Sequence, residues 1–208
     1  SAGTVVRRPV SRGSIRVIAG LHAEDGMLIA DQRHWLERDP SDLPSAAAME
    51  AETLAMREHL IEVSKAPILD SDYIGPVIFE GDAALDLVRF LLLPLLEGTP
   101  TEDPSQEMDR ARKGQVESQP KTGRRVLPEG WTVHDDPQLR PDRPGYALVD
   151  DEGTPTQAIE LVEDGIVRTL YMSRTPRADL RETNGHARGS MGTIAHGRAF
   201  QVTIKAPR

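Results

Sequence analysis

Six histidines are the first residues to weigh for metal or acid–base chemistry: His22, His34, His59, His134, His186 and His196. None stands in an H-E-x-x-H pattern or at a paired-His helical spacing. His59 and Glu62 share a predicted helix face, but with no third ligand in view they read as a solvated pair. The most distinctive segment is Asn184-Gly185-His186-Ala187-Arg188-Gly189. Its glycines permit positive φ and close backbone approach, so its N–H groups can cradle an anion or a carboxylate, with His186 and Arg188 adding charge-assisted bonds. The plainer alternative is a tight loop whose glycines satisfy turn geometry. Asp150, Asp151 and Glu152 can hold a divalent cation or act in acid–base catalysis, although an Asp- and Gly-rich hairpin turn is the simpler reading. The pair Arg124-Arg125 reads as solvated. Phosphate-loop, dinucleotide-binding, nucleophile-elbow and kinase patterns are all missing.

Composition narrows the classes further. The 208 residues contain no Cys, which excludes a disulfide scaffold, a zinc ribbon and a thiol nucleophile. With 25 Lys+Arg against 33 Asp+Glu, the formal charge of −8 argues against an extended nucleic-acid surface. The longest nearly apolar run, Phe90–Leu96, is far short of the roughly 20 residues that span a bilayer, and no secretory signal is seen. The expectation is a protein without nucleic-acid or membrane partners, most simply cytoplasmic. Aliphatic residues must carry the core, because Phe, Trp and Tyr make up only 4% of the chain.

The elements that would position these residues form an α+β pattern, with helices in the N-terminal half and mainly antiparallel β in the C-terminal half. Residues 14–31 read as a hairpin turning at Glu24-Asp25-Gly26. Ser45 is a helix cap, and Ala46–Lys65 is a helix with a stripe of Met49, Thr53, Met56, Leu60 and Val63. Tyr73–Phe79 reads as a short buried strand, and Ala83–Leu96 as a largely buried helix capped by Asp82 and ended or kinked by Pro94. Strands follow at Trp131–His134, Tyr146–Val149, Gln157–Val162, Ile166–Met172 and Ala199–Lys205, with a helical turn within 173–182. The expected division is an α/β segment over 1–97, a flexible polar loop over 98–130 and an antiparallel β domain over 131–208.

The order of four segments resembles the TldD/PmbA family, the modulator-of-gyrase proteins, which comprise metallopeptidases and their partner subunits. "YIGPVIFEGDAA" (Tyr73–Ala84) looks like the family's G-P-V strand leading into its central helix. "LPEGWTVHDDPQL" (Leu127–Leu139) is similar to its strand ending in a D-D-P turn, and Asp150–Arg174 to its D-x-E-G-x-x-T hairpin. "TNGHARGS" (Thr183–Ser190) resembles its S-T-G-H/N-A-R loop. The resemblance implies a zinc site built from H-E-x-x-x-H on the helix after the G-P-V strand, plus a later Cys. At that register this chain has Arg89-Phe90-Leu91-Leu92-Leu93-Pro94, and it has no Cys.

The implied protein binds no zinc, has no catalytic residue of that mechanism and uses no other cofactor. It forms a homodimer or a heterodimer with a TldD-type subunit and helps hold an extended peptide, with Asp150, Asp151, Glu152 and Asn184–Arg188 near the peptide groove. Family members being about twice this length, the chain also reads as a fragment or a reduced relative. The alternative implied by the same resemblance is an active metallopeptidase subunit whose ligands come from elsewhere, with His134, His186 and His196 as the candidates.

Overall fold

The computed structural model describes residues 5–7, 11–67, 71–99, 121–177, 179–189 and 193–207. The chain divides into two units, one of Arg7–Val77 with Asp142–Pro144, the other of Ser1–Val6, Ile78–Pro141 and Gly145–Arg208. Residues 100–120, the centre of the expected polar loop, lie outside the described residues.

In the first unit, β1 (Gly13–His22) and β2 (Leu28–Glu37) form an antiparallel hairpin. Its turn falls where the Gly-containing acidic run predicts it, with the Asp25 carboxylate accepting the Met27 N–H at 2.9 Å. One hairpin face carries Val17, Ala19, Leu21, Ile29 and Trp35, all partly buried. Helix α1 (Ala46–Val63) packs on the hairpin, and the predicted stripe is its buried side, with Met56 and Leu60 at its centre. The Trp35 indole N–H donates to Glu52 across this contact at 3.1 Å. His59 and Glu62 are both exposed on α1, as a solvated pair should be.

Ser45 caps α1 by accepting the Ala48 N–H at 3.3 Å. Ser45→Ala is therefore expected to lower the stability of this unit by about 1 kcal/mol, read as a lower thermal midpoint of the far-ultraviolet helical signal. An unchanged midpoint would show that water replaces the cap without loss.

The second unit is built on a four-stranded antiparallel sheet in the order β5-β4-β3-β8, from β3 (Thr132–Asp135), β4 (Ile159–Glu163), β5 (Ile166–Val167) and β8 (Val202–Lys205). A two-stranded ribbon joins β6 (Ala187–Arg188) to β7 (His196–Gly197). Asp164-Gly165 turns β4 into β5 with positive φ at both residues (52° and 75°), the pattern of a type I′ hairpin. Gly165 has a second reason to be glycine, since a Cβ there would strike the carbonyl oxygens of Leu127 and Pro128. Residues 123–127, the described tail of the polar stretch, run beside β5 through Gly123 N–H to Val167 O and Val126 N–H to Gly165 O. Arg125 is not simply solvated there, because its guanidinium donates to the Asp164 carbonyl at 2.8 Å.

Several expectations need correction. Tyr73–Phe79 is neither a strand nor buried. It bends at Gly75 and has no strand partner among the described residues, with Ile74 96% and Ile78 86% exposed. Pro76 lacks the N–H that a ladder needs, and apolar content alone does not supply a pairing edge.

The apolar segment after it is a helix only in part and is not largely buried. Helix α2 (Gly81–Leu87) gives way to a π-turn over Val88–Leu92 and a 3₁₀ turn over Leu93–Leu96. Pro94 has no N–H to donate and its ring clashes with the carbonyl four residues back, so the ladder changes register around it. Leu92 and Leu96 enter the core with Val133, Leu161, Val162 and Leu170, while Leu85, Phe90 and Leu91 face outward. Glu80 rather than Asp82 holds the cap position, without a side-chain bond. Leu92 and Leu96 pack against the sheet, and the chain from Ile78 onward counts with the second unit.

The β segments around the sheet are also shorter than predicted. Tyr146–Val149 contributes one isolated bridge, Val149 to Pro155, and the described part of 173–182 holds no helical turn. No helix of the described residues is long and apolar enough to cross a membrane.

Candidate functional site

The two polar motifs singled out in the sequence lie against each other. Asp150 opens a tight turn in which its Oδ1 accepts the N–H of Glu152 at 3.0 Å and of Thr154 at 2.8 Å. Its Oδ2 reaches across to the Ala187 N–H at 3.1 Å. The Asp151 N–H donates to Ala187 O at 3.0 Å, and its carboxylate accepts the Gly189 N–H at 3.0 Å and lies 3.7 Å from Arg188 Nε. Glu152 accepts the Arg174 N–H at 2.6 Å. All three acidic side chains thus hold backbone N–H groups, which makes the turn a clasp for β6.

Each residue of the loop has a local physical reason. The Asn184 side chain behaves as an added strand residue, accepting the Met172 N–H at 2.9 Å and donating to Leu170 O at 2.8 Å. Gly185 has φ +71°, and a Cβ there would collide with the Pro155 carbonyl oxygen. Ala187 is fully buried. The Arg188 guanidinium stacks on the Phe200 ring at 4.5 Å while facing Asp151.

His186 points inward. It is fully buried, with its ring centroid 5.3 Å from that of Tyr171 and 5.5 Å from that of Phe200. Its Nδ1 lies 3.0 Å from the Asn184 carbonyl oxygen and its Nε2 3.9 Å from Asp135 Oδ1. Asp135 is itself fully buried at the end of β3, where its carboxylate accepts the N–H groups of Phe200 and Gln201, both at 2.8 Å. The Tyr171 hydroxyl and His186 Nε2 are both buried without a hydrogen bond among the described residues, and both lie beside Asp135. Burial, joined by the negative charge of Asp135, holds the Tyr171 phenol well above its ordinary range. Burial outweighs the same charge at His186 and pushes its imidazole below its ordinary value.

Sequence reasoning finds His186 and the acid run but misses Asp135 and Tyr171. It reads Asp135-Asp136-Pro137 as a strand-ending turn, and only Asp136 does that work, accepting the Gln138 N–H at 2.8 Å. An Asp still within the alternation of a strand, one residue before the turn, is the available signal for a buried carboxylate.

Arg89, Phe90 and Pro94 bring a guanidinium, a ring and a tertiary amide, with Arg89 near the Phe90 ring at 5.8 Å. None of these donates an electron pair to zinc. His134 faces Glu160 at 3.5 Å, His186 is enclosed and His196 lies in β7. Among the described residues no three His, Cys, Asp or Glu side chains gather where they would hold a metal ion.

Fold and site define an α+β protein whose antiparallel sheet carries a carboxylate-clasped loop, with a buried Asp–His–Tyr cluster beneath it. Residues 72–207 match the family model described as the PmbA/TldA metallopeptidase C-terminal domain, and the chain belongs to that family. Solved structures that share its fold include the following three. A candidate modulator of a DNA gyrase from Thermotoga maritima is 21% identical with a TM-score of 0.60, over 93% of this chain and 40% of its own. TldE from Thermococcus kodakarensis is 17% identical with a TM-score of 0.56, over 95% of this chain and 41% of its own. A candidate modulator of DNA gyrase from Bacteroides thetaiotaomicron is 12% identical with a TM-score of 0.59, over 94% and 39%. The chain therefore spans about two fifths of the length of these relatives. No curated protein matches it.

Proposed function

We propose that this chain is a non-catalytic member of its family, a partner subunit that dimerises with a second copy or with a TldD-type subunit and helps hold an extended peptide for processing. The observation that carries this reading is the residue set Arg89–Pro94 at the family's metal-helix position. A guanidinium and apolar side chains bind no zinc, so no hydroxide is generated there and no step of peptide hydrolysis is assigned to this chain. The fold shared with a protein named TldE agrees with a partner role.

The peptide-holding part rests on the clasped loop and on a sheet edge that carries no further strand among the described residues. β8 ends the strand order of the sheet, and strand addition there would need only backbone hydrogen bonds. Asp150, Asp151, Glu152 and Asn184–Arg188 would act by keeping that region rigid, since their polar groups bind each other and neighbouring backbone more than they face solvent. The cytoplasm is the proposed compartment.

Zinc content is the direct test. The chain purified after growth with added zinc is expected to carry far less than one zinc per molecule by elemental analysis, and to leave unfolded peptides intact. A family member bearing H-E-x-x-x-H is expected to co-purify with it from the native cell. Stoichiometric zinc together with chelator-sensitive peptide hydrolysis would overturn the reading.

A further inference from the structure

His186 has a defined protonation geometry. Its Nδ1 meets a carbonyl oxygen, that of Asn184 at 3.0 Å, and a carbonyl can only accept. Nδ1 therefore carries the proton of the neutral ring, and Nε2 is left as a bare lone pair. That lone pair is buried, unpaired and 3.9 Å from an Asp135 oxygen that already accepts the Gln201 N–H. The neutral ring thus leaves two acceptors facing each other. A proton arriving at Nε2 would turn this contact into a donor–acceptor one, but at the cost of a cation in a fully enclosed site.

The groups around the ring decide which effect prevails. From β3 and the residue after it come Asp135 and Asp136, from the acidic turn Asp150, and from the strand-like segment after β5 the Tyr171 phenol. On the cationic side, Arg188 stacks on Phe200, the ring that also flanks His186. The Arg198 N–H caps the His186 carbonyl at 2.9 Å. The carboxylates favour the imidazolium, yet burial is the larger influence, and the ring is held in its neutral form below its ordinary pKa. The unfolded chain binds this proton from about pH 6.5 downward, whereas the folded chain resists it until lower pH. The contribution of His186 to folding is therefore fully present above that value and is lost as pH falls below it.

We propose that His186 is a proton-operated latch on the loop 183–189. In its neutral form it seats the loop between Tyr171 and Phe200, and proton uptake at Nε2 releases the loop locally. The loop's other attachments are Thr183 and Asn184 to the Leu170–Met172 backbone, the His186 N–H to the Met172 carbonyl, Asp150 and Asp151 to Ala187 and Gly189, and the pairing of β6 with β7, all hydrogen bonds of one short segment that can open without unfolding the four-stranded sheet. This device goes beyond the partner-subunit reading and does not depend on it.

The test is amide hydrogen exchange on the full chain at pH 7.5 and pH 5.0, corrected for intrinsic exchange rates, beside an NMR titration of the His186 ring. Protection over 183–189 is expected to fall several-fold more than protection over β3 and β4 between the two pH values. His186→Phe keeps a ring between Tyr171 and Phe200 but takes up no proton, and should remove the excess loss. A His186 ring that titrates at or above the ordinary histidine value would overturn the proposal, even if the variant fails to fold. So would a loop whose protection follows that of the sheet, or a folded His186→Phe protein that keeps the full pH effect.

Discussion

Asp135→Ala is expected to destabilise the β-rich unit by about 3–5 kcal/mol, the largest effect of any single side-chain truncation considered for this chain. The carboxylate is fully buried and is the partner of two N–H groups, those of Phe200 and Gln201. These residues lead directly into β8, which pairs with β3 itself. Removing the acceptor leaves both partly buried donors unpaired, at roughly 1–3 kcal/mol each, with a small void added. Asp135→Asn retains one acceptor and should lose about half as much. Urea denaturation at pH 7.5, followed by circular dichroism, measures both. A loss below about 1 kcal/mol for the alanine variant would mean that water enters and satisfies the two donors.

Asp150→Ala ranks second, at about 2–4 kcal/mol, because one carboxylate there serves the N–H groups of Glu152, Thr154 and Ala187. Its effect should also be uneven. The Ala187 bond is the one that ties the acidic turn to β6, so protection of amides 187–189 should fall more than that of β3 and β4. Asp151→Ala removes the Gly189 bond and a partly solvated Arg188 contact on the exposed side of the clasp, and should cost less. Equal losses for the two variants would show that the clasp does not depend on the buried carboxylate.

Both predictions rest on side chains that the sequence presents differently. Asp150 is visible as part of a turn motif, and its spacing to Gly153 already indicates that it folds back on its own backbone. Asp135 stands in a similar acidic pair, yet it acts at long range, on residues 65 and 66 positions away. Nothing local to Asp135-Asp136-Pro137 reveals that partner. The family resemblance is legible because it depends on the order of short motifs, and the match over residues 72–207 agrees with it.

The same contrast governs the elements. Helix α1, the first hairpin and the β4–β5 turn are all recoverable from the sequence, because caps, stripe periodicity and glycine at positive φ act within a few residues. The strand expected over Tyr73–Phe79 and the burial expected over Ala83–Leu96 fail for one reason. Apolar composition states what would gain from burial, whereas the surface that buries it must come from elsewhere. Phe90 and Leu91 are as apolar as Leu92 and Leu96, and only the last two meet the sheet.

By itself, then, the sequence determined the α+β order, the turn positions, the absence of zinc donors at Arg89–Pro94 and the two polar motifs. Tertiary structure alone decided that those motifs clasp each other and that His186 turns inward onto Asp135. The physical reason is range: backbone propensity and turn chemistry are encoded within neighbouring residues. Burial and hydrogen-bond satisfaction depend instead on partners that only folding brings within about 3 Å.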